Sequence, residues 1–166
     1  LPPAGMQCCA WTTFREDAVA VERDVTAGKR SAGPFGFQAV SQSSESLYLC
    51  SRTYAADKYP PQSPLCRSER HANPKIRLGY LAGEFRTHAT SMLMAGLFEL
   101  HDRTRFELFA FDNGFDDGTP LRSRVETAFD SFIDISRASD LDAAKLIRVR
   151  KIDILVNLNG YCGLSR

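Results

Sequence analysis

Apolar residues recur along this chain with two different periods, and the change falls near residue 74. In the first part Phe14, Ala18, Val21 and Val25 follow one another at spacings of four, three and four. That spacing sets them on one face of a helix, and Ala27-Gly28 ends it. A loop rich in glycine, proline and serine follows over residues 28–36. A second helix is predicted over 44–56, burying Leu47, Cys50 and Tyr54. Residues 59–74 (YPPQSPLCRSERHANP) predict an irregular connector, because proline removes a backbone donor and clashes with a preceding helical turn. Residues 1–74 therefore form a helical lead-in with its connector, and 75–166 form a second region.

In that second region short apolar runs alternate with amphipathic stretches. Strands are predicted over 76–81 (IRLGYL), 106–111 (FELFAF), 132–135 (FIDI) and 152–158 (IDILVNL). Helices are predicted over 92–100, with Leu93, Leu97 and Leu100 at helical spacing, over 120–129 and over 140–150. Uninterrupted apolar strands joined through helices by short links predict an α/β fold: a Rossmann-like parallel sheet flanked by helices on both faces, with right-handed crossovers. Such sheets bind ligands where loops leave the carboxyl ends of the strands. The loops at those ends are 82–90, 112–119 and 159–166.

The first of these, AGEFRTHAT, sets the carboxylate of Glu84 four residues before the imidazole of His88, at the mouth of a helix capped by Thr90 or Ser91. The partial positive charge of a helix start favours a neutral imidazole and attracts anions. A neutral histidine beside a carboxylate suits hydrogen bonding to a sugar or proton removal from a hydroxyl. Helix capping alone would also account for the pair. The second loop, DNGFDDGT, carries Asp112, Asp116 and Asp117 but lacks the ligand spacing and terminal Glu of an EF-hand. Asp-Gly pairs make turns, and Asp117 or Thr119 is placed to cap the next helix. In the third loop Asn157, Asn159 and Tyr161 are neutral hydrogen-bonding groups suited to a polyhydroxylated substrate, and equally to turns. His71 falls in the connector, His101 follows a helix as a C-terminal cation, and Trp11 is expected to anchor the first helix in the core.

Composition narrows the classes. The 166 residues are 43% apolar and 25% charged, with net charge +1, which excludes wholly disordered or collagenous chains. Near-neutrality gives no electrostatic case for nucleic acid or for an anionic membrane surface. No apolar run is long enough to span a bilayer, and no secretory signal is visible. The five cysteines match no zinc pattern, so idle thiols in a reducing cytoplasm are expected, with no metal. The glycine fingerprint of a dinucleotide site is missing, which argues against a Rossmann oxidoreductase or methyltransferase. The start at Leu1 and the abrupt stop at Arg166 suggest a piece of something longer.

Taken in order, IRLGYLAGEFRTHATSMLMAGLFELHD, DDGTPLRSR, FDSFIDIS and IDILVNLNGY resemble the start of the catalytic region of the O-linked N-acetylglucosamine transferase family. The likeness is greatest to bacterial members that carry tetratricopeptide repeats, although no such repeat period is visible here. The resemblance implies the N-terminal lobe of a two-lobed GT-B glycosyltransferase. A second lobe, not contained in these residues, would hold most of the UDP-sugar, so the isolated region is expected not to turn over. The implied reaction moves N-acetylglucosamine from UDP-GlcNAc to a Ser or Thr hydroxyl of a protein or peptide, with inversion, without metal and without a further cofactor. His88 matches the family histidine beside the transferred sugar, Thr90 a sugar-contacting threonine and Tyr161 the tyrosine of the N-G-Y turn, next to Asn159. Glu84 occupies the place of an aspartate proposed as a base or proton relay. His88-Ala89-Thr90 stands where animal relatives carry H-P-T, and a further histidine of those relatives falls near Pro34 or Phe35. A sugar- or protein-binding module on the same scaffold is the second reading.

Overall fold

The computed structural model describes residues 8, 9, 11–65 and 70–160. Tyr161, together with Cys66 and Cys162, lies outside the described residues. The chain forms two compact units, Leu1–Pro64 and Leu65–Arg166. Among the described residues no helix is long and apolar enough to cross a membrane.

The first unit contains α1 (Phe14–Thr26), α2 (Pro34–Phe37) and α3 (Ser44–Lys58). Its small core joins Val25, Phe37 and Cys50, with Val21, Ala32, Val40 and Leu47 packed around them. The Ser43 hydroxyl caps α3 by accepting the Ser46 N–H. Two expectations are corrected here. A short helix, α2, stands inside the stretch read as loop: Pro34 pre-sets the first helical φ, and burial of Phe37 stabilises the turn. Trp11 is 56% exposed rather than in the core, its ring meeting that of Phe14 edge-on at 5.7 Å.

The second unit runs β1 (Ile76–Ala82), α4 (Ala89–Leu100), β2 (Phe106–Asp112), α5 (Pro120–Thr127), β3 (Ser131–Asp134), α6 (Asp140–Val149) and β4 (Ile154–Asn157). All strand pairs are parallel, in the order β3-β2-β1-β4. This is the expected α/β sheet flanked by helices. Alternation along the strands divides the core between its faces. Leu78, Tyr80 and Ala82 of β1 join Ala95 and Phe98 of α4 and Val125 of α5 on one side. Phe109 and Phe111 of β2 pack with Ala143 of α6 on the other.

Two details differ from the hydrophobic pattern. Leu93, Leu97 and Leu100 do share a helix face, but it is the outer one, 82%, 47% and 84% exposed, and α4 buries Ser91, Ala95 and Phe98 instead. The aromatic ring of Phe98 packs against Tyr80, Phe85 and Phe129, which fixes the orientation of the helix. Among the described residues β4 pairs with β1 alone, and Ile154 and Leu155 remain 49% and 43% exposed. Among the described residues the run thus stands at the edge of the sheet, with Val156 packed on one face and Ile152 on the other.

His101 also departs from its predicted role. Its Nε2 lies 2.8 Å from the Tyr80 hydroxyl, and burial, aided by nearby Arg103, lowers its pKa. A neutral ring fits that place better than a terminal cation.

One buried charge ties α5 to the sheet. Arg122 is 6% exposed. Its Nη1 donates to Asp112 Oδ2 at 2.5 Å and to the Phe85 carbonyl at 2.9 Å, while Nε donates to Glu126 Oε1 at 2.8 Å. The Phe132 ring covers the guanidinium face at 4.4 Å. Desolvation works against the charge, but the bonds from Asp112 and Glu126 outweigh it and raise the arginine pKa. Replacing Arg122 by Met strands the Asp112 carboxylate in the interior. Arg122→Met should cost about 3–5 kcal/mol in equilibrium denaturant unfolding; a loss below about 1 kcal/mol, the worth of a surface pair, would contradict this role.

Candidate functional site

The strand order fixes where a ligand can approach. Because β1 lies between β2 and β4, the chain reverses its direction of travel across the sheet at β1, and the switch point at which such sheets take ligands lies beyond the carboxyl ends of β1 and β4. The loops leaving β1 and β4 flank it. They are joined by backbone and side-chain bonds: the Leu158 N–H donates to the Leu81 carbonyl, and the Gly83 N–H donates to Asn159 Oδ1 at 3.2 Å. Asn157 Oδ1 accepts the N–H groups of Asn159 and Gly160, making the turn. Asn159 is buried, 7% exposed, so its carbonyl oxygen serves the loop.

The β1–α4 loop carries Glu84, half-buried, and His88, exposed. Phe85, between them, is 1% exposed and packs against Phe98, Phe129 and Phe132. This apolar anchor pins the loop from below. Its backbone is held at three further points: Ser91 Oγ donates to the Glu84 carbonyl at 2.6 Å, Arg122 reaches the Phe85 carbonyl, and Asp117 Oδ2 accepts the Thr87 N–H at 2.7 Å. The loop after β1 is thus fixed by neighbouring elements rather than by turns of its own.

The helix cap is not the residue expected. His88, not Thr90 or Ser91, is the N-cap of α4: its backbone is extended and its Nδ1 accepts the Thr90 N–H at 3.2 Å. The Thr90 hydroxyl stands at the same distance from Nδ1. A ring nitrogen that accepts an amide N–H carries no proton, so the neutral imidazole bears its hydrogen on Nε2. His88 therefore offers a donor to whatever approaches Nε2. Among the described residues no hydrogen bond or ion pair joins Glu84 to His88, so the two groups sit on one loop without touching.

The second loop does more than turn the chain and cap a helix. Thr119 Oγ1 does cap α5, accepting the Arg122 N–H at 3.3 Å, and the Asp112 carboxylate accepts the Gly114 N–H at 2.8 Å. The loop also presses on the first one. A Cβ added at Gly114 would lie 2.0 Å from the Gly83 carbonyl oxygen, so only glycine permits this backbone-to-backbone approach. Arg86 and Phe115 stack across the two loops at 4.8 Å. The pairing of Asp112 with Arg122, which braces the loop of Glu84 and His88 through the Phe85 carbonyl, was not read from the sequence. The available signal was an acid at the end of an apolar strand followed by an arginine in the first turn of the next helix. Among the described residues no cluster of three or more His, Cys, Asp or Glu side chains is arranged to hold a metal ion.

Asp117 is the most perturbed group of the site. The Thr87 N–H bond, ahead of the opposing effect of burial and of the Thr119 bonds, lowers its pKa to about 2. A depressed carboxylate pKa stabilises the fold above the unfolded value near 3.8, and that stability fades as pH falls toward 2. The Thr87 amide resonance of this chain should accordingly titrate with a midpoint near 2. A midpoint near 3.8 would show that the bond is not formed in solution.

The sequence profile of glycosyl transferase family 41 matches residues 47–166. The probable UDP-N-acetylglucosamine–peptide N-acetylglucosaminyltransferase SEC of Arabidopsis thaliana is 38% identical over 87 residues, covering 52% of this chain. The UDP-N-acetylglucosamine–peptide N-acetylglucosaminyltransferase of Caenorhabditis elegans is 35% identical over 104 residues, covering 60%. The chain spans only 9% of the length of each of these relatives. A solved structure of a mutant O-GlcNAc transferase from Thermobaculum terrenum superposes with a TM-score of 0.63 at 24% identity, over 81% of this chain and 29% of that one. That likeness supports the fold. With most of its length matched by the family profile, the chain belongs to glycosyl transferase family 41.

Proposed function

We propose that this region forms part of the catalytic centre of a protein O-N-acetylglucosaminyltransferase, which moves N-acetylglucosamine from UDP-GlcNAc to a Ser or Thr hydroxyl with inversion and without a metal. The observation that carries the reading is the placement of Glu84 and His88 on one braced loop at the switch point of a family 41 sheet. UDP is held mainly by a second lobe outside these residues. This region contributes the groups that meet the sugar and the acceptor, and does not turn over alone.

Inverting transfer brings the acceptor oxygen to the anomeric carbon from the face opposite the departing diphosphate. The acceptor must lose a proton, and the sugar must be held as positive charge grows on it. The cap geometry divides these tasks. His88 accepts through Nδ1 and so presents Nε2–H, which makes it a hydrogen-bond donor to a sugar or phosphate oxygen. The ionised Glu84 carboxylate has only acceptor capacity, which suits receipt of the acceptor proton. Thr90 holds the imidazole through its N–H and hydroxyl, with sugar contact as its further role. Tyr161 and Asn159 complete the sugar side, Asn159 through the loop it holds.

Two substitutions separate these roles in the full-length protein. Asn is a good N-cap, so His88→Asn preserves the helix start while removing the imidazole donor. It should lower kcat by about 100-fold, the usual effect of deleting one preorganised donor. Glu84→Gln keeps shape but loses proton affinity, and should lower kcat by about 100-fold or more. Turnover of UDP-GlcNAc with a peptide acceptor, followed by intact mass, measures both. Unchanged turnover in either variant would remove that residue from the reaction.

A further inference from the structure

We infer that Asp117 is a positioning residue for transfer, setting the orientation of the His88 imidazole from the neighbouring loop. The inference rests on the reading of His88 as a substrate-facing group. Asp117 is thirty residues from Thr87 in sequence, yet its Oδ2 accepts the Thr87 N–H at 2.7 Å. The residue bonded in this way immediately precedes His88. Capping of α5 does not explain the contact, because Thr119 performs that function with its own hydroxyl.

The arrangement is fully committed. Thr87 Oγ1 donates to Thr119 Oγ1 at 3.0 Å, and Thr119 Oγ1 donates to Asp117 Oδ1 at 2.8 Å while accepting the Arg122 N–H. The Thr119 N–H also donates to Asp117 Oδ1 at 3.2 Å. One carboxylate thus collects three donors, two of them backbone amides in different loops. Bonds to an ionised acceptor are stronger than neutral ones, so this link resists the fraying that an exposed loop otherwise undergoes.

Its position on the loop decides what it controls. Arg122 fixes the Phe85 carbonyl on one side of Arg86, and Asp117 fixes the Thr87 amide on the other. From Thr87 the chain enters the extended backbone of His88, whose ring then accepts the Thr90 N–H. Three successive anchors at 85, 87 and 90 leave the imidazole one orientation and one neutral tautomer. Without the middle anchor, the segment between Phe85 and Thr90 is free to rotate, and Nε2–H no longer has a fixed direction. Misplacement of a reacting group by about 1 Å costs about 100-fold in rate.

The test compares Asp117→Ala with Asp117→Asn. Ala removes every acceptor, whereas Asn keeps an oxygen for the Thr87 N–H and nearly the same shape. In the full-length protein Asp117→Ala should lower kcat by about 10- to 100-fold with donor KM within about twofold, and Asp117→Asn, with one oxygen in place of two, should recover part of the loss. Equal activity of the Ala variant and the parent, or a loss confined to donor KM, would overturn the inference. A second readout needs no turnover: nitrogen NMR of the His88 ring in this chain. The parent and the Asn variant should show a single tautomer protonated at Nε2, and the Ala variant a mixture. A parent that transfers no sugar would defeat the proposed function, and the ring spectrum would still decide the positioning role. An unchanged single tautomer in a folded Ala variant would refute it.

Discussion

A guanidinium placed in the interior is the constraint around which this site is built. Arg122 loses its hydration, and the loss is tolerable only because Asp112, Glu126, the Phe85 carbonyl and the Phe132 ring each occupy a fixed place around it. Those partners come from the end of β2, from α5, from the β1–α4 loop and from β3. A requirement of electrostatics therefore becomes a requirement of geometry: four elements must meet at one point. Because one of them is the loop that carries Glu84 and His88, the candidate site inherits the rigidity of the core.

The same logic extends outward from the core to the rim. Phe85 anchors the loop through apolar contact, Asp117 holds it through charge, and α4 receives it through the His88 cap. The cap has a chemical consequence as well as a structural one. By using Nδ1 to satisfy an amide of the first helical turn, the fold selects which nitrogen is left to meet a ligand, and so makes the histidine a donor. The residue that begins the helix is thus also the one whose remaining ring nitrogen faces away from it as a donor.

Much of this was legible in the sequence, for a physical reason. Buried parallel strands must be apolar throughout, so β1 and β2 announced themselves as runs, and glycine, proline and aspartate marked the loops between elements. The strand-end rule then singled out the loop after β1, and the structure does place that loop at the carboxyl end of a central strand. What stayed hidden depends on contacts between segments far apart in sequence. Nothing in AGEFRTHAT says that Thr87 meets Asp117, or that the ring of His88 turns back onto its own helix. Leu93, Leu97 and Leu100 show the converse case: their spacing is helical, but periodicity cannot tell which of two apolar faces the sheet will take, and Phe98 with Ala95 won that place. Trp11 was misjudged because size alone does not bury a side chain near the start of a small helical unit.

The central claim is that the imidazole of His88 meets the transferred sugar through Nε2. The most direct measurement is a crystal structure of the full-length protein with an unreactive UDP-GlcNAc analogue and an acceptor peptide. The account predicts a donor oxygen within hydrogen-bonding distance of His88 Nε2, Nδ1 still accepting the Thr90 N–H, and the acceptor hydroxyl on the Glu84 side. A sugar bound away from the β1–α4 loop, or an imidazole turned so that Nδ1 faces the ligand, would contradict it.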